Sequence, residues 1–469
     1  MINIQFYFCE ISENCNIFCT FVGDFKRMKR AIIAIITVLL IGGIIYLQRI
    51  LTSPVDSGIV EVEDVGFRLN DSLCNAMSDY PTTQRMERYI KRWMARNSIR
   101  GASLAVMRDE KLIYCKGFGW ADQELEREAE AGDIYRIASA SKLITAIGIM
   151  KLCDDGLLNL DDKVFGEQGI LKTFTSYKDK RVTNITVRQL LNHTSGFSRI
   201  KGDLAFRVAD VIEWTNSYTT PSTDDLISYQ LSLRLRCAPG GSAQYSNMGY
   251  IVLSRVIEQV SGMDYETYLQ NNVLIPAGCY DMHLAYNYYE QRYPGEVRYY
   301  GHDDERIESY DGSGMLRLRE YGGNNIRGLQ GAGAWVASTA ELMRLVASID
   351  GKPGVPDIIS AESIEQMKCV EGRTLGWADY IAGNDALIRT GTMSGTSAYI
   401  YLRNNGLSFV FLTNTSHYRG ATFTNSIGRM VRDAMTLVEE WPADRDLFVQ
   451  TPDLPQSVID GVEATGDLS

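Results

Sequence analysis

Two strand pairs, one near each end of the chain, each stand beside an amphipathic helix, and this arrangement leaves few ways to fold. Near the front, Met86, Tyr89, Ile90, Trp93 and Met94 recur at helical spacing, with Thr83 placed to cap the helix. The runs "ASLAVMR" and "KLIYCKGFGW" follow, joined by a short polar turn, and read as strands. Near the back, "SAYIYLR" and "LSFVFLT" flank Asn404-Asn405-Gly406, a tight-hairpin signal. A second helix follows, with Ile427, Met430, Val431, Ala434, Met435 and Val438 on one face. Strands with an apolar face must be covered by another layer. The pattern therefore predicts one antiparallel sheet assembled from both chain ends, with helices packed on it. The middle, roughly 130–380, reads as mainly helical and irregular, a second lobe inserted into the first, and the cleft between lobes is the natural place for a site.

Composition narrows the function. The 469 residues carry a net charge of -11 with 22% charged and 45% hydrophobic residues, the balance of an ordinary globular protein. Phosphate backbones need a basic surface, and no basic run occurs beyond residue 50, so nucleic acid is not an expected partner. Six cysteines lie beyond the first 28 residues (Cys74, Cys115, Cys153, Cys237, Cys279 and Cys369), with no C-x-x-C pair and no metal spacing. His283, His302 and His417 likewise lack ligand spacing, so neither metal nor cofactor is expected. A tyrosine-rich stretch from Tyr280 to Tyr321 reads as an insertion packing its own aromatics rather than as a platform for a sugar or peptide.

The front of the chain predicts a membrane anchor. Lys26, Arg27, Lys29 and Arg30 precede the uncharged segment "AIIAIITVLLIGGIIYL", residues 31–47. No small-x-small cleavage site and no lipobox cysteine follows it. The charge asymmetry puts the front end in the cytoplasm and the rest of the chain outside. The expected organisation is an extension over 1–27 ahead of a natural start at Met28, a signal-anchor over 28–50 and a linker over 51–83. One catalytic domain over 84–440 and an acidic, loosely ordered tail over 441–469 complete it. This is the layout of a single-pass inner-membrane protein with a periplasmic domain.

Three short segments carry the chemistry. "YRIASASKLITAIGIMKLCDDG" reads as a buried apolar helix, yet it opens with Ser139, Ser141 and Lys142. Ser139 and Lys142 are three apart and share a helix face, which can bring an amine against a hydroxyl and activate it. Ser141 is two positions away and points elsewhere. "PGGSAQYSNMGY" sets Tyr245 and Asn247 two apart just before another helix. A phenol held near ammonium charge can shuttle a proton, and an amide can hold a substrate or orient Lys142. "LIRTGTMSGTSAYIY" puts Arg389, Thr390 and Gly391 ahead of the last hairpin. There a glycine admits a ligand to a strand edge and a cation can hold a carboxylate.

The order Ser-x-x-Lys, Tyr-x-Asn, cation-Thr-Gly resembles the serine β-lactamase and penicillin-binding-protein superfamily. Tyr-x-Asn points to the branch of class C β-lactamases, D-alanyl-D-alanine carboxypeptidases and related esterases. "ITVRQLLNHTSGF" (185–197), "IPAGCYDMHL" (275–284) and "GAGAWVASTAELMRL" (331–345) resemble the same branch. The resemblance implies a two-lobed α+β fold with a five-stranded antiparallel sheet. It implies Ser139 as nucleophile, Lys142 as its activator, Tyr245 as proton carrier and Asn247 as substrate contact. Arg389, Thr390, Gly391 and Thr392 would line the substrate, the N–H groups of Ser139 and Thr392 forming an oxyanion hole. His193 is not the base in such proteins, and in "LLNHTSGF" it reads as helping to close a helix that ends at Gly196. Arg389 departs from the usual lysine or histidine, and its rigid fork predicts a substrate with a free carboxylate, such as a D-Ala-terminated peptide or a β-lactam. The implied protein is a serine hydrolase of amide or ester bonds. An esterase of the same family and a penicillin-binding sensor or scaffold that does not turn over remain as alternatives. The partner is a small-molecule or peptide acyl substrate, and nothing in the sequence indicates an oligomeric state.

Overall fold

The computed structural model describes residues 68–449, apart from residues 200, 201, 218, 370, 371 and 443. The anchor expected over 28–50 and the extension before it lie outside the described residues. Among the described residues no helix is long and apolar enough to cross a membrane.

Helix α1 spans Gln84–Arg96, and strands β1 (Gly101–Arg108) and β2 (Lys111–Asp122) follow as a hairpin. Their two-residue turn, Asp109-Glu110, has both φ angles positive, which matches the twist of the flanking strands. A short strand β3 (Arg127–Glu128) edges the sheet. The back of the chain supplies β4 (Asp379–Ile381), β5 (Ala386–Met393), β6 (Thr396–Arg403) and β7 (Leu407–Thr413), then a last helix over Phe423–Met435. The order across the sheet is β3-β2-β1-β7-β6-β5-β4. The pairing of β1 with β7, Leu104 opposite Phe411, joins the two chain ends. Four of the five long strands are those read from the sequence pattern, β5 is the fifth that the family resemblance implies, and two short edge strands extend the sheet to seven.

Both faces of this sheet are covered, so its strands are apolar on both sides. Leu104, Val106, Phe409 and Phe411 point to the layer of terminal helices, where Met86, Ile90, Phe423, Ile427 and Val431 meet them. Trp93 of α1 stacks on Phe423 at 5.3 Å between ring centres, tying first helix to last. Ala105, Met107, Val410 and Leu412 point the other way, into the larger core. That core is built around helix α2, Ser141–Asp154, with Leu143, Ile144, Ala146, Ile147, Ile149 and Met150 all buried. A helix apolar all round belongs at the centre of a domain, and this one is there. Helix α3, Asn247–Ser261, packs against it, begun by Ser246, whose side chain accepts from Gly249 N–H, and ended by Gly262 in the left-handed region.

The structure corrects three boundaries. Thr83 precedes α1, but its hydroxyl donates to the Tyr80 carbonyl and makes no cap bond. The expected linker already belongs to the domain from residue 68, because Leu69, Leu73 and Met77 are buried in the larger core. The expected loose tail is docked as far as residue 448: Trp441, Leu447 and Phe448 are buried, and Leu447 N–H donates to the Leu112 carbonyl. Three apolar side chains among the charges outweigh the acidic composition locally. The tyrosine-rich stretch does pack on itself. Tyr289 meets Tyr321 edge-on, Tyr286 meets Tyr293, and Arg292 and Arg317 lie over the rings of Tyr289 and Tyr288.

Candidate active site

The nucleophile candidate sits in a tight turn. Ala138–Ala140 form one turn of 3-10 helix leading into α2, and Ala138 takes a left-handed φ of 48°. An alanine there is strained, at a cost of about 1 kcal/mol or more, so the surrounding packing must hold it. The turn runs straight into α2, where Lys142 stands one helical turn after Ser139 and its Nζ reaches to 3.2 Å from Ser139 Oγ. Ser141 is turned away and buried, its Oγ accepting from the Trp335 N–H at 3.1 Å.

Lys142 is fully buried, and each hydrogen-bond partner is fixed. Its ammonium donates to Ser139 Oγ, to Asn247 Oδ1 at 2.7 Å and to the Ala332 carbonyl. Burial is the largest influence on it and lowers its pKa to about 8; Arg389 adds to the lowering, while Tyr245 and Asp203 oppose it. The lowering makes the neutral amine more accessible near neutral pH than that of an ordinary lysine. Tyr245 Oη lies 2.7 Å from Ser139 Oγ. Burial raises the pKa of this phenol, but the charges of Lys142 and Arg389, with hydrogen bonding to Lys142 and Ser139, outweigh it, and the phenol ends below the ordinary tyrosine value. The residue as a whole remains 38% exposed, so an approaching group can reach it. Both motif residues are placed by one cap, since Tyr245 and Asn247 flank Ser246 at the start of α3.

Strand β5 closes the site from the other side. Arg389 is only 2% exposed, and its Nε and one terminal nitrogen both donate to the Ser139 carbonyl, at 2.9 and 2.6 Å. Two arms of the expected carboxylate fork are thus engaged by the nucleophile turn itself. Gly391 also differs from its expected role. A Cβ on it would stand 2.1 Å from the Ile137 carbonyl oxygen and 3.0 Å from the Ser139 nitrogen. The missing side chain lets the strand approach the nucleophile turn, not a ligand approach the strand. Pairing of β5 with β4 stops at Ile388, so no strand covers the edge beyond it. Thr390 and Thr392 lie on the face opposite Arg389 and Gly391 and are half-buried, and Thr392 Oγ1 has no hydrogen bond among the described residues.

His193 takes the left-handed conformation two residues after the short helix Val187–Leu191, so that helix ends earlier than the expected Gly196. Its Nδ1 accepts from the Ser246 N–H at 3.2 Å and its ring lies 4.6 Å from that of Tyr245. Burial, with Lys142 and Arg389 nearby, pushes its pKa well below the usual value. A neutral imidazole supporting the Tyr245 loop fits this place.

Two side chains at the site carry no motif in the sequence, and one backbone carbonyl comes from the segment 331–345 without having been singled out. Asp203 Oδ2 accepts from Asn247 Nδ2 at 2.8 Å. Arg199 donates to the Tyr245 carbonyl at 2.9 Å and pairs with Asp203 at 3.5 Å. The Ala332 carbonyl that receives Lys142 follows Gln330, whose φ of 40° and ψ of -124° are strained for a side chain with a Cβ. Only the four-residue spacing of Arg199 and Asp203 could have signalled a pair.

A serine hydroxyl within reach of both a lysine amine and a tyrosine phenol, each with its pKa lowered, is an arrangement that can make serine nucleophilic. The family model Beta-lactamase matches residues 86–426, and the chain belongs to that family. It is 29% identical over 208 residues to Protein flp of Staphylococcus aureus (strain N315), covering 44% of this chain and 38% of that protein. It is 28% identical over 244 residues to a penicillin-binding protein of Bacillus subtilis (strain 168), covering 50% and 48%. The chain thus spans less than half the length of these curated relatives. Among solved structures it is similar to the octameric penicillin-binding protein homologue from Pyrococcus abyssi, with 24% identity, a TM-score of 0.56 and 78% and 79% of the two chains covered. The D-alanine carboxypeptidase AmpC from Burkholderia cenocepacia shares the fold at 18% identity, a TM-score of 0.55 and 75% and 99% coverage.

Proposed function

We propose that the protein is a serine hydrolase that cleaves an amide or ester bond through an acyl-enzyme on Ser139. The carrying observation is the convergence of Lys142 Nζ and Tyr245 Oη on Ser139 Oγ, at 3.2 and 2.7 Å, with both pKa values lowered. The Lys142–Tyr245 pair takes the proton of Ser139 as Oγ bonds to the substrate carbonyl carbon. Tyr245 hands that proton to the leaving nitrogen or oxygen as its bond to carbon breaks. Water then adds to the acyl carbon, its proton going to the same pair, which returns a proton to Ser139 Oγ as the Ser139–acyl bond breaks. The N–H groups of Ser139 and Thr392 hold the oxyanion in each half. Losing one such donor commonly costs about 10²–10³ in rate.

For the substrate we propose a carboxylate-bearing acyl compound, a D-Ala-type peptide or a β-lactam. Support comes from the second terminal nitrogen of Arg389, for which no acceptor exists among the described residues. One contact, not a fork, is then offered to a carboxylate. The engagement of the other two nitrogens favours a second reading, a neutral ester or amide as substrate. For the cellular setting we propose an anchored periplasmic domain, on the charge and hydropathy of residues 26–47.

Time-resolved mass spectrometry with a penicillin, beside labelling by a fluorophosphonate, tests these readings. A transient penicillin adduct on Ser139 supports the hydrolase with a carboxylate substrate, and a persistent one indicates a sensor. Fluorophosphonate labelling without any penicillin adduct indicates the neutral substrate. Ser139→Ala abolishes both adducts, and labelling that survives it would refute the nucleophile. A reporter fused after residue 60 that gave signal only in soluble periplasm would refute the anchor.

A further inference from the structure

Asn247 lies between two groups of opposite hydrogen-bonding character. Its Oδ1 receives the Lys142 ammonium at 2.7 Å, and its Nδ2 donates to Asp203 Oδ2 at 2.8 Å. An ionised carboxylate only accepts and an ammonium only donates, so the pair allows one orientation of the amide. With Asp203 removed, Asn247 could rotate and turn its own N–H group on Lys142. That contact would repel the ammonium and pull the amine away from Ser139. We infer that Asp203 is a positioning residue, fixing the Asn247 amide so that Lys142 is held against Ser139 with its charge balanced. The inference deepens the serine-hydrolase reading and rests on it.

The placement of Asp203 is built rather than incidental. Its other carboxylate oxygen, Oδ1, accepts from the Ala205 N–H and starts the turn Leu204–Phe206. Arg199 pairs with it at 3.5 Å and also grips the Tyr245 carbonyl. The same loop therefore holds both ends of Tyr245-Ser246-Asn247. Asn247 and Asp203 are both more than nine-tenths buried, so water does not substitute for either contact cheaply. The charged and titratable groups around Lys142 are Tyr245, Tyr250, Arg389, His193, Arg199 and Asp203. Among these, Asp203 and an ionised Tyr245 are the only anions. Asp203 holds the lysine pKa up, against the burial and the arginine that push it down.

Two variants separate position from charge. Asp203→Asn can keep an acceptor toward Asn247 while losing the charge, and Asp203→Ala loses both. The pKa of Lys142 is read directly by NMR titration of isotope-labelled lysine, its signal assigned with Lys142→Met. The midpoint is expected to fall in both Asp203 variants. Fluorophosphonate labelling of Ser139 across pH should then keep most of its plateau rate in Asp203→Asn, with its acid limb moved to lower pH. In Asp203→Ala the plateau itself should fall, on the order of tenfold or more, because a misplaced reacting group is costly. An unchanged Lys142 midpoint in both folded variants would overturn the inference. Equal plateau losses in the two variants would overturn the orienting role. The NMR midpoint is measured whether or not the protein hydrolyses anything, so failure of the hydrolase reading would appear separately, as absence of wild-type labelling.

Discussion

Gly391→Ala puts the assembly of the site to its hardest test. The new methyl group would sit 2.1 Å from the Ile137 carbonyl oxygen, 2.9 Å from the Ala140 nitrogen and 3.0 Å from the Ser139 nitrogen. All three are backbone atoms of the nucleophile turn, so no side-chain rotation relieves the clash. An ordinary carbon–oxygen contact is longer by roughly 1 Å, and strand and turn must part by about that distance. Overpacking of this kind costs about 1–3 kcal/mol in stability. In a domain of this size that lowers Tm by only a few degrees. The chemical cost is larger. The parting moves Ser139 away from β5, and a displacement near 1 Å lowers the rate by about 10²-fold. It also loosens Arg389 from the Ser139 carbonyl. The assay is the rate of fluorophosphonate labelling and kcat on a small ester, beside a melting curve. The expected pattern is a drop of about 10²-fold or more in both rates, with a modest Tm shift and little change in KM. If the variant kept kcat and raised KM alone, the glycine would serve ligand approach after all. The packing argument would then be refuted.

Two further predictions follow from the charges. Lys142 is lowered to about 8 and coupled to Tyr245, so labelling of Ser139 should rise with pH to a midpoint near 8 that belongs to the pair, since below it the pair holds one proton too many to act as base. A flat rate between pH 6 and 9 would contradict this. Arg389→Ala should slow a neutral ester as well as a carboxylate substrate, because two of its nitrogens hold the Ser139 carbonyl. The carboxylate substrate should lose more, because the remaining nitrogen is the one offered to it. The arginine charge also lowers both Lys142 and Tyr245, so the acid limb should move to higher pH, and Arg389→Lys should restore the limb. An undiminished rate on the neutral ester would refute the role of the Ser139 carbonyl contact, and equal losses on both substrates would refute the carboxylate contact.

The sheet was legible in the sequence because its signals are local. Alternating and apolar strands, an Asn-Gly turn and helical stripes such as Met86-Ile90-Trp93 each follow from the period of their own element. Hairpins at the two ends have unsatisfied edges, and pairing β1 with β7 is the economical way to join them. The motif residues were legible for a similar reason. Ser139 and Lys142 are neighbours on one turn, and Tyr245 and Asn247 flank one helix cap, so their spacing is set by helix geometry before any tertiary contact forms.

What only the tertiary structure decided lies where segments distant in sequence meet. Arg389 reads as an open fork until β5 is laid against the nucleophile turn, where it grips the Ser139 carbonyl. Gly391 reads as room for a ligand until the Ile137 carbonyl fills that room. Asp203 has no motif at all, because its role comes from contact with Asn247 across a loop whose course no periodicity encodes. The tail reads as loose from its charge until Leu447 and Phe448 find a surface. Spacing within one element is written in the sequence because the covalent chain and the backbone period fix it. Contacts between elements depend on how whole surfaces pack, and those surfaces exist only after folding.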